Sequence, residues 1–193
     1  EHLLRQFAGV CRLVYNLGLE QRATWGRRHR IGFASQCVDL TRLRAEFDWV
    51  RAVYVSCQQQ ALRDLDRAFQ NFFAGRASFP RPRKRGVNDS LRFPGREIEI
   101  KRLNARWSAV RLPKIGWVKF RDTQPTRGSM KNATVSLDAD GWQVSFACEI
   151  EHEAPAPLPA IIGIDRGVAT TLALSTGETM KMPTSLERIE ARK

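Results

Sequence analysis

The hydrophobic period of this chain changes near Ser90, and that change restricts the folds open to it. Before that point apolar residues return every three or four positions, and after it they come in short, β-branched or aromatic runs. Leu3, Phe7, Val10, Val14 and Leu17 recur at helical spacing, with Leu4, Cys11 and Tyr15 widening the face, which predicts a helix to about Trp25. Arg5, Arg12 and Arg22 fall largely off that face. A loop through Gly32 leads to Ser35, read as the cap of a second helix carrying Val38, Leu40, Leu43 and Phe47. A third helix, from about Val53 to Phe73, has the stripe Leu62, Leu65, Phe69 and Phe72. Helical spacing assigns those aromatics to a core and not to base stacking.

After Ser90, Leu91–Phe93, Glu97–Ile100, Trp107–Leu112, Gly116–Phe120, Ala133–Leu137 and Trp142–Ile150 read as short strands, with Asp140-Gly141 as a hairpin turn between the last two. Short antiparallel strands with polar turns predict a small barrel or sandwich. Glu153-Ala154-Pro155-Ala156-Pro157-Leu158-Pro159 then reads as a stiff linker. The fold class expected is therefore α+β. Its parts would be a helical region over 1–89, a β-barrel over 90–152, a linker over 153–159 and a further β segment over 160–193.

Charge narrows the function. Lys and Arg number 32 against 20 Asp and Glu, a formal net charge of +12, and the pI near 10.4 exceeds the rough value of 9 typical of nucleic-acid-binding domains. Between the third helix and the strands lie Arg76, Arg81, Arg83, Lys84 and Arg85, interrupted by Pro80 and Pro82. Proline keeps such a run extended, which suits a phosphate-tracking strip; a solvated linker is the bland alternative. Lys114, Lys119, Arg121, Arg127 and Lys131 would add charge around the strands. Cys11, Cys37, Cys57 and Cys148 show no Cys-x-x-Cys spacing, so neither a zinc ribbon nor a disulfide framework is legible. No apolar run reaches the roughly 18 residues of a membrane span and no signal peptide precedes the first helix, so the expected location is cytoplasmic.

One segment suggests chemistry. Ile161-Ile162-Gly163-Ile164-Asp165-Arg166-Gly167-Val168 reads as a buried strand ending in a carboxylate, followed by a second strand through Leu174 and a Thr176-Gly177-Glu178 turn. Rigid carboxylates hold paired Mg²⁺ ions roughly 4 Å apart in two-metal phosphodiester hydrolysis, and Gly163 and Gly167 would leave room for a metal or a phosphate backbone. The alternative is that Asp165 simply ends a strand and accepts turn hydrogen bonds.

The same residues, with Leu174-Ser175-Thr176-Gly177-Glu178, resemble the first RuvC motif of TnpB, the OrfB-type protein of insertion sequences related to type V CRISPR effectors. Three further segments are similar to that family in the same order: Phe7–Asn16 to its first helix, Gln59–Phe73 with Phe79-Pro80-Arg81 to its central helix and basic loop, and Leu112–Lys119 to a strand-turn-strand of its wedge domain. The resemblance implies the amino-terminal half of an RNA-guided DNA endonuclease: a helical recognition insert, a wedge barrel and the first strands of an RNase H-like nuclease. It implies a guide RNA and a target DNA as partners, bound in the bacterial or archaeal cytoplasm at the nucleoid. It also implies Asp165 as one Mg²⁺ ligand and Gln59, with Phe33 nearby, at the short DNA motif beside the target, where glutamine pairs with adenine. Zinc is expected only later in the family's sequence. Glu178, Glu187 and Glu190 read as structural or solvated, so this piece alone is expected not to cleave DNA. A compact type V effector, a nuclease-dead RNA-guided repressor and an RNA-independent accessory DNA-binding protein are the alternatives.

Overall fold

The computed structural model describes residues 1–26, 31–124, 128–151, 162–167 and 170–181. The chain divides into two compact units, Glu1–Glu151 and His152–Lys193. The linker read over 153–159 lies outside the described residues.

The first unit opens with α1, His2–Trp25. Its buried face is Leu4, Phe7, Cys11, Val14, Tyr15 and Gly18, while Leu3 and Leu17 are exposed, so the apolar stripe is turned slightly from the one read in the sequence. α2 spans Phe33–Glu46. Ser35 is its third residue, not its cap, and its hydroxyl accepts a hydrogen bond from the Gly32 N–H at 3.1 Å. A short helix α3, Asp48–Ala52, which the periodicity did not show, precedes α4, Val55–Phe73. Arg44 closes the end of α3 by donating to the carbonyls of Val50 and Val53, the latter at 2.9 Å. Burial, then Arg51, lowers the pKa of Arg44.

α4 packs its stripe of Leu62, Leu65 and Phe69 against α1 and α2. Gly18 lets the helices meet: an added Cβ would sit 3.0 Å from Leu65 and 3.1 Å from Leu62. The buried Gln36 spans the same crossing and donates to the Gly18 carbonyl at 2.8 Å.

The strands of this unit form two antiparallel sheets. One has the order β1 (Ser90–Pro94), β5 (Ser129–Asp138), β6 (Gly141–Glu149); the other has β2 (Glu99–Arg102), β3 (Trp107–Leu112), β4 (Gly116–Arg121). A single 3-10 turn, Gly95–Glu97, carries the chain from the first sheet to the second. It passes so close to β5 that a Cβ at Gly95 would collide with the Met130 carbonyl. Helices and sheets share one core, in which Leu91, Phe93, Val110, Leu112 and Val135 join Leu62, Leu65 and Phe69. The switch from helix to strand at Ser90 is thus not a boundary between two cores.

The expected barrel is not closed. β4 and β6 are edges, bridged by side chains and not by backbone hydrogen bonds, with Phe120 and Phe146 centred 5.5 Å apart. Each is paired on one side alone, β4 with β3 and β6 with β5, so the two three-stranded sheets stay separate. A cleft of about 1090 Å³ lined by Phe120, Trp142 and Val144 marks the open seam.

In the second unit, β7 (Ile164–Asp165), β8 (Leu172–Leu174) and β9 (Thr179–Met180) form a small antiparallel sheet with Asp165 opposite Ala173. The strand read as buried is not covered by the described residues: Ile164 is 67% exposed. With two- and three-residue strands, this sheet has too little area to bury its own apolar side chains.

Candidate nucleic-acid interface

The basic run after α4 is anchored as a strap across the helices. Phe79 meets Phe69 and Phe72 edge-on with centroids 5.5 and 5.3 Å away, and Pro80 is buried. The Asn16 side chain holds the backbone of Arg83, donating to its carbonyl at 3.0 Å and accepting from its N–H at 2.8 Å. An Arg12–Asp89 ion pair fixes the far end.

This anchoring separates the five basic residues of the run. Arg83 turns inward, pairing with Asp64 at 3.1 Å and lying 4.1 Å over the Tyr15 ring. Arg92 of β1 shares the same carboxylate at 3.2 Å. Arg76, Arg81, Lys84 and Arg85 are exposed, and no carboxylate among the described residues pairs with them. The strip therefore offers four cations to solvent and uses the fifth to hold itself in place. Beneath it, burial pushes the Cys11 thiol up to about 12, a rise that Arg83 opposes and Asp64 reinforces. Burial likewise raises Cys57.

Gln59 and Phe33 come to one face. Gln59 is partly exposed on α4, one turn before Arg63, whose guanidinium lies 5.2 Å over the Phe33 ring at the start of α2. The neighbouring Gln58 is fully buried, donating to the Val50 carbonyl at 2.7 Å and accepting from Arg44 at 2.8 Å. One glutamine braces the fold and the next faces out. Arg63 was missed in the sequence, although its four-residue spacing from Gln59 places the two together on a helix.

On the sheets, Lys114 donates to the Arg51 carbonyl at 2.9 Å and Lys131 pairs with Glu149, so both have protein partners. Lys119 lies 4.5 Å over the Trp107 ring, and Arg121 stands opposite Trp107 in the ladder. Arg127 lies outside the described residues.

Asp165 is exposed on its two-residue strand. The hairpin around it is tied by Gly163, whose N–H donates to the Ser175 hydroxyl at 2.9 Å and whose carbonyl accepts from Ser175 N–H at 2.8 Å. The room beside the two glycines is unequal, ordinary at Gly163 and tight at Gly167. A Cβ at Gly163 would touch Ser175 at 3.5 Å, and one at Gly167 would press on the Thr170 carbonyl at 3.0 Å. Glu178 is exposed in the turn after β8, and Glu187 and Glu190 lie outside the described residues. Among the described residues no three His, Cys, Asp or Glu side chains gather as a metal site. Asp165 alone fits one coordination position, and the described residues do not build a two-metal centre.

Comparison with known proteins places this architecture. Residues 1–30 match the helix-turn-helix domain of OrfB proteins of the IS605 type, a stretch whose described part is the single helix α1. The chain is TnpB-like, homologous along nearly all of its length to proteins named as RNA-guided DNA endonucleases. One is "Putative RNA-guided DNA endonuclease InsQ" of Escherichia coli (strain K12), 34% identical over 96% of this chain and 46% of its own length. Another is "Putative RNA-guided DNA endonuclease" of Streptomyces pristinaespiralis, 33% identical over 95% of this chain and 47% of its own length. The chain spans about half the length of these relatives. No helix among the described residues is long and apolar enough to cross a membrane.

Proposed function

We propose that this chain is the amino-terminal part of an RNA-guided DNA endonuclease, holding a structured guide RNA and a short duplex DNA motif beside the target. The observation that carries the reading is homology along 96% of the chain to a protein named for that activity. The geometry supports a division of labour. The outward Arg76, Arg81, Lys84 and Arg85 suit a phosphate backbone, which is bound by charge and without regard to sequence. Gln59 beside Arg63 and Phe33 suits a groove edge, where a planar amide reads adenine and a guanidinium reads guanine. Lys119 and Arg121 suit the guide RNA on a wedge-like, half-open barrel, and base pairing supplies target specificity.

Asp165 would furnish one Mg²⁺ ligand of a RuvC-type site, the other ligands coming from the part of the relatives' length that this chain does not span. Mg²⁺ would supply the activation of water for phosphodiester hydrolysis. The protein would work on the nucleoid in the cytoplasm. Sequencing the nucleic acid that co-purifies with the longest version of the protein tests the reading. One discrete structured RNA ending in a variable tract is the expected result. Heterogeneous nucleic acid lost at moderate salt would overturn it in favour of a transposition accessory protein that binds DNA directly.

A further inference from the structure

The ladder of β2, β3 and β4 fixes which side chains share a face. Trp107 stands opposite Arg121, Ala109 opposite Lys119 and Lys101, and Arg111 opposite Trp117. Side chains alternate across a sheet, so these residues lie on one side, while Val110, Leu112 and Val118 turn to the core on the other. Trp107 and Trp117 are 37% and 49% exposed. They occupy opposite corners of a strip roughly 14 Å long by strand geometry. Ala109 leaves a low point between them, with Lys119 against the Trp107 ring at 4.5 Å. Among the described residues Lys101, Lys119 and Arg121 have no carboxylate partner, and only Arg111 pairs, at 3.8 Å with Glu99.

Trp25 and Trp49 are at least as exposed elsewhere, so what sets this face apart is not exposure but two indoles alternating with cations. A phosphate backbone alone would need only the cations. Tryptophans interleaved with cations offer what unpaired bases need, a π-face for each ring and charge for the phosphates between, whereas bases in a duplex are stacked on one another and out of reach. We infer that the outer face of β2–β3–β4 is a stacking platform for an unpaired stretch of RNA. It rests on the guide-RNA reading above and sharpens it, because it assigns Trp107 and Trp117 to bases and Lys101, Lys119 and Arg121 to the phosphates that join them.

The test compares fluorescein-labelled nucleic acids binding to the intact chain: an unstructured RNA strand of about 12 nucleotides, within the site sizes of single-strand-binding folds, a blunt-ended RNA duplex, and DNA of the unstructured sequence. Trp117→Ala and Trp107→Ala should each weaken the unstructured RNA at least about fivefold, the loss of one stacked base, and Trp117→Phe should stay within about twofold of the parent. Duplex affinity should not change. In the parent protein, 4-thiouridine crosslinks should map to the peptides of β3 and β4, a readout that does not depend on any variant folding. DNA of the same sequence should bind comparably, because stacking and charge do not read the 2′-OH; unchanged affinity in both alanine variants or crosslinks elsewhere would overturn the platform while leaving guide-RNA binding intact. Failure of the parent to bind either RNA would instead overturn the guide-RNA reading itself.

Discussion

Two sets of cations sit in the first unit and behave in opposite ways. Under the strap, Arg83 and Arg92 converge on the single carboxylate of Asp64, and Arg12 takes Asp89. On the outer face of β2–β3–β4, Lys119 and Arg121 share their surroundings with tryptophan and with no carboxylate among the described residues. The first set spends its charge on holding helix, strap and sheet together; the second keeps it available. A net charge of +12 therefore overstates the number of arginines free to meet phosphate, and the pairing decides which they are.

The largest test of the inward set uses pH. Cys11 lies beneath the network, with its thiol raised from the ordinary 9.0 to about 12, mainly by burial. The unfolded chain releases that proton at lower pH than the folded one. Stability from this group is thus whole below about pH 9 and is lost as pH rises toward 12. Urea unfolding across that window should show a fall to which Cys11 contributes ~4 kcal/mol, and Cys11→Ala should remove that share while leaving the part due to Cys57, whose thiol burial also raises. An equal fall in the variant would assign the loss to other groups.

Next in size is Asp64→Asn, which strands two half-buried guanidinium groups. Solvent screens them in part, so the expected cost is ~1–2 kcal/mol in urea unfolding. Gln58→Ala should cost a similar ~1–2 kcal/mol by emptying a buried site and removing one donor from the Val50 carbonyl and one acceptor from Arg44. In the outward set, Lys119→Ala with Arg121→Ala should move stability by no more than ~0.5 kcal/mol. The same pair should flatten the slope of log affinity against log salt for RNA by about 1.5. Arg83→Ala should leave that slope unchanged and lower stability; the reverse pattern would break the distinction. Smallest of all, Gln59→Ala should leave stability within ~0.5 kcal/mol, although its neighbour Gln58 cannot be removed at that low cost.

The elements themselves were largely legible, because α1, α4 and the six strands of the first unit each present a period that burial enforces. Less legible was whatever depends on two elements meeting. α3 escaped because five residues are too few to show a period. Barrel closure was over-read, since alternation sets which way a side chain points but not which strands become hydrogen-bonded neighbours. Arg83 looked like its neighbours because its partner Asp64 lies 19 residues earlier on another element. The Asp165 hairpin was read correctly as strands and turn, yet its glycines face Ser175 and Thr170, contacts that no local pattern reports. For the platform a signal did exist: Trp117, Lys119 and Arg121 alternate along one strand, and only their register with Trp107 shows that they share a face.

The open seam bears on how the protein behaves in a tube. β4 and β6 each end a sheet, and a strand whose backbone groups lack a neighbour invites another copy to add to it. β4 carries Lys119 and Arg121 outward, so two such edges approaching one another bring like charges together. That mutual repulsion is a colloidal safeguard, and it weakens as ions accumulate. The salt that strips nucleic acid from the protein during purification thus also removes its protection against edge-to-edge clumping, and a polyanion bound on that face would have to be replaced by something else that keeps the edges apart.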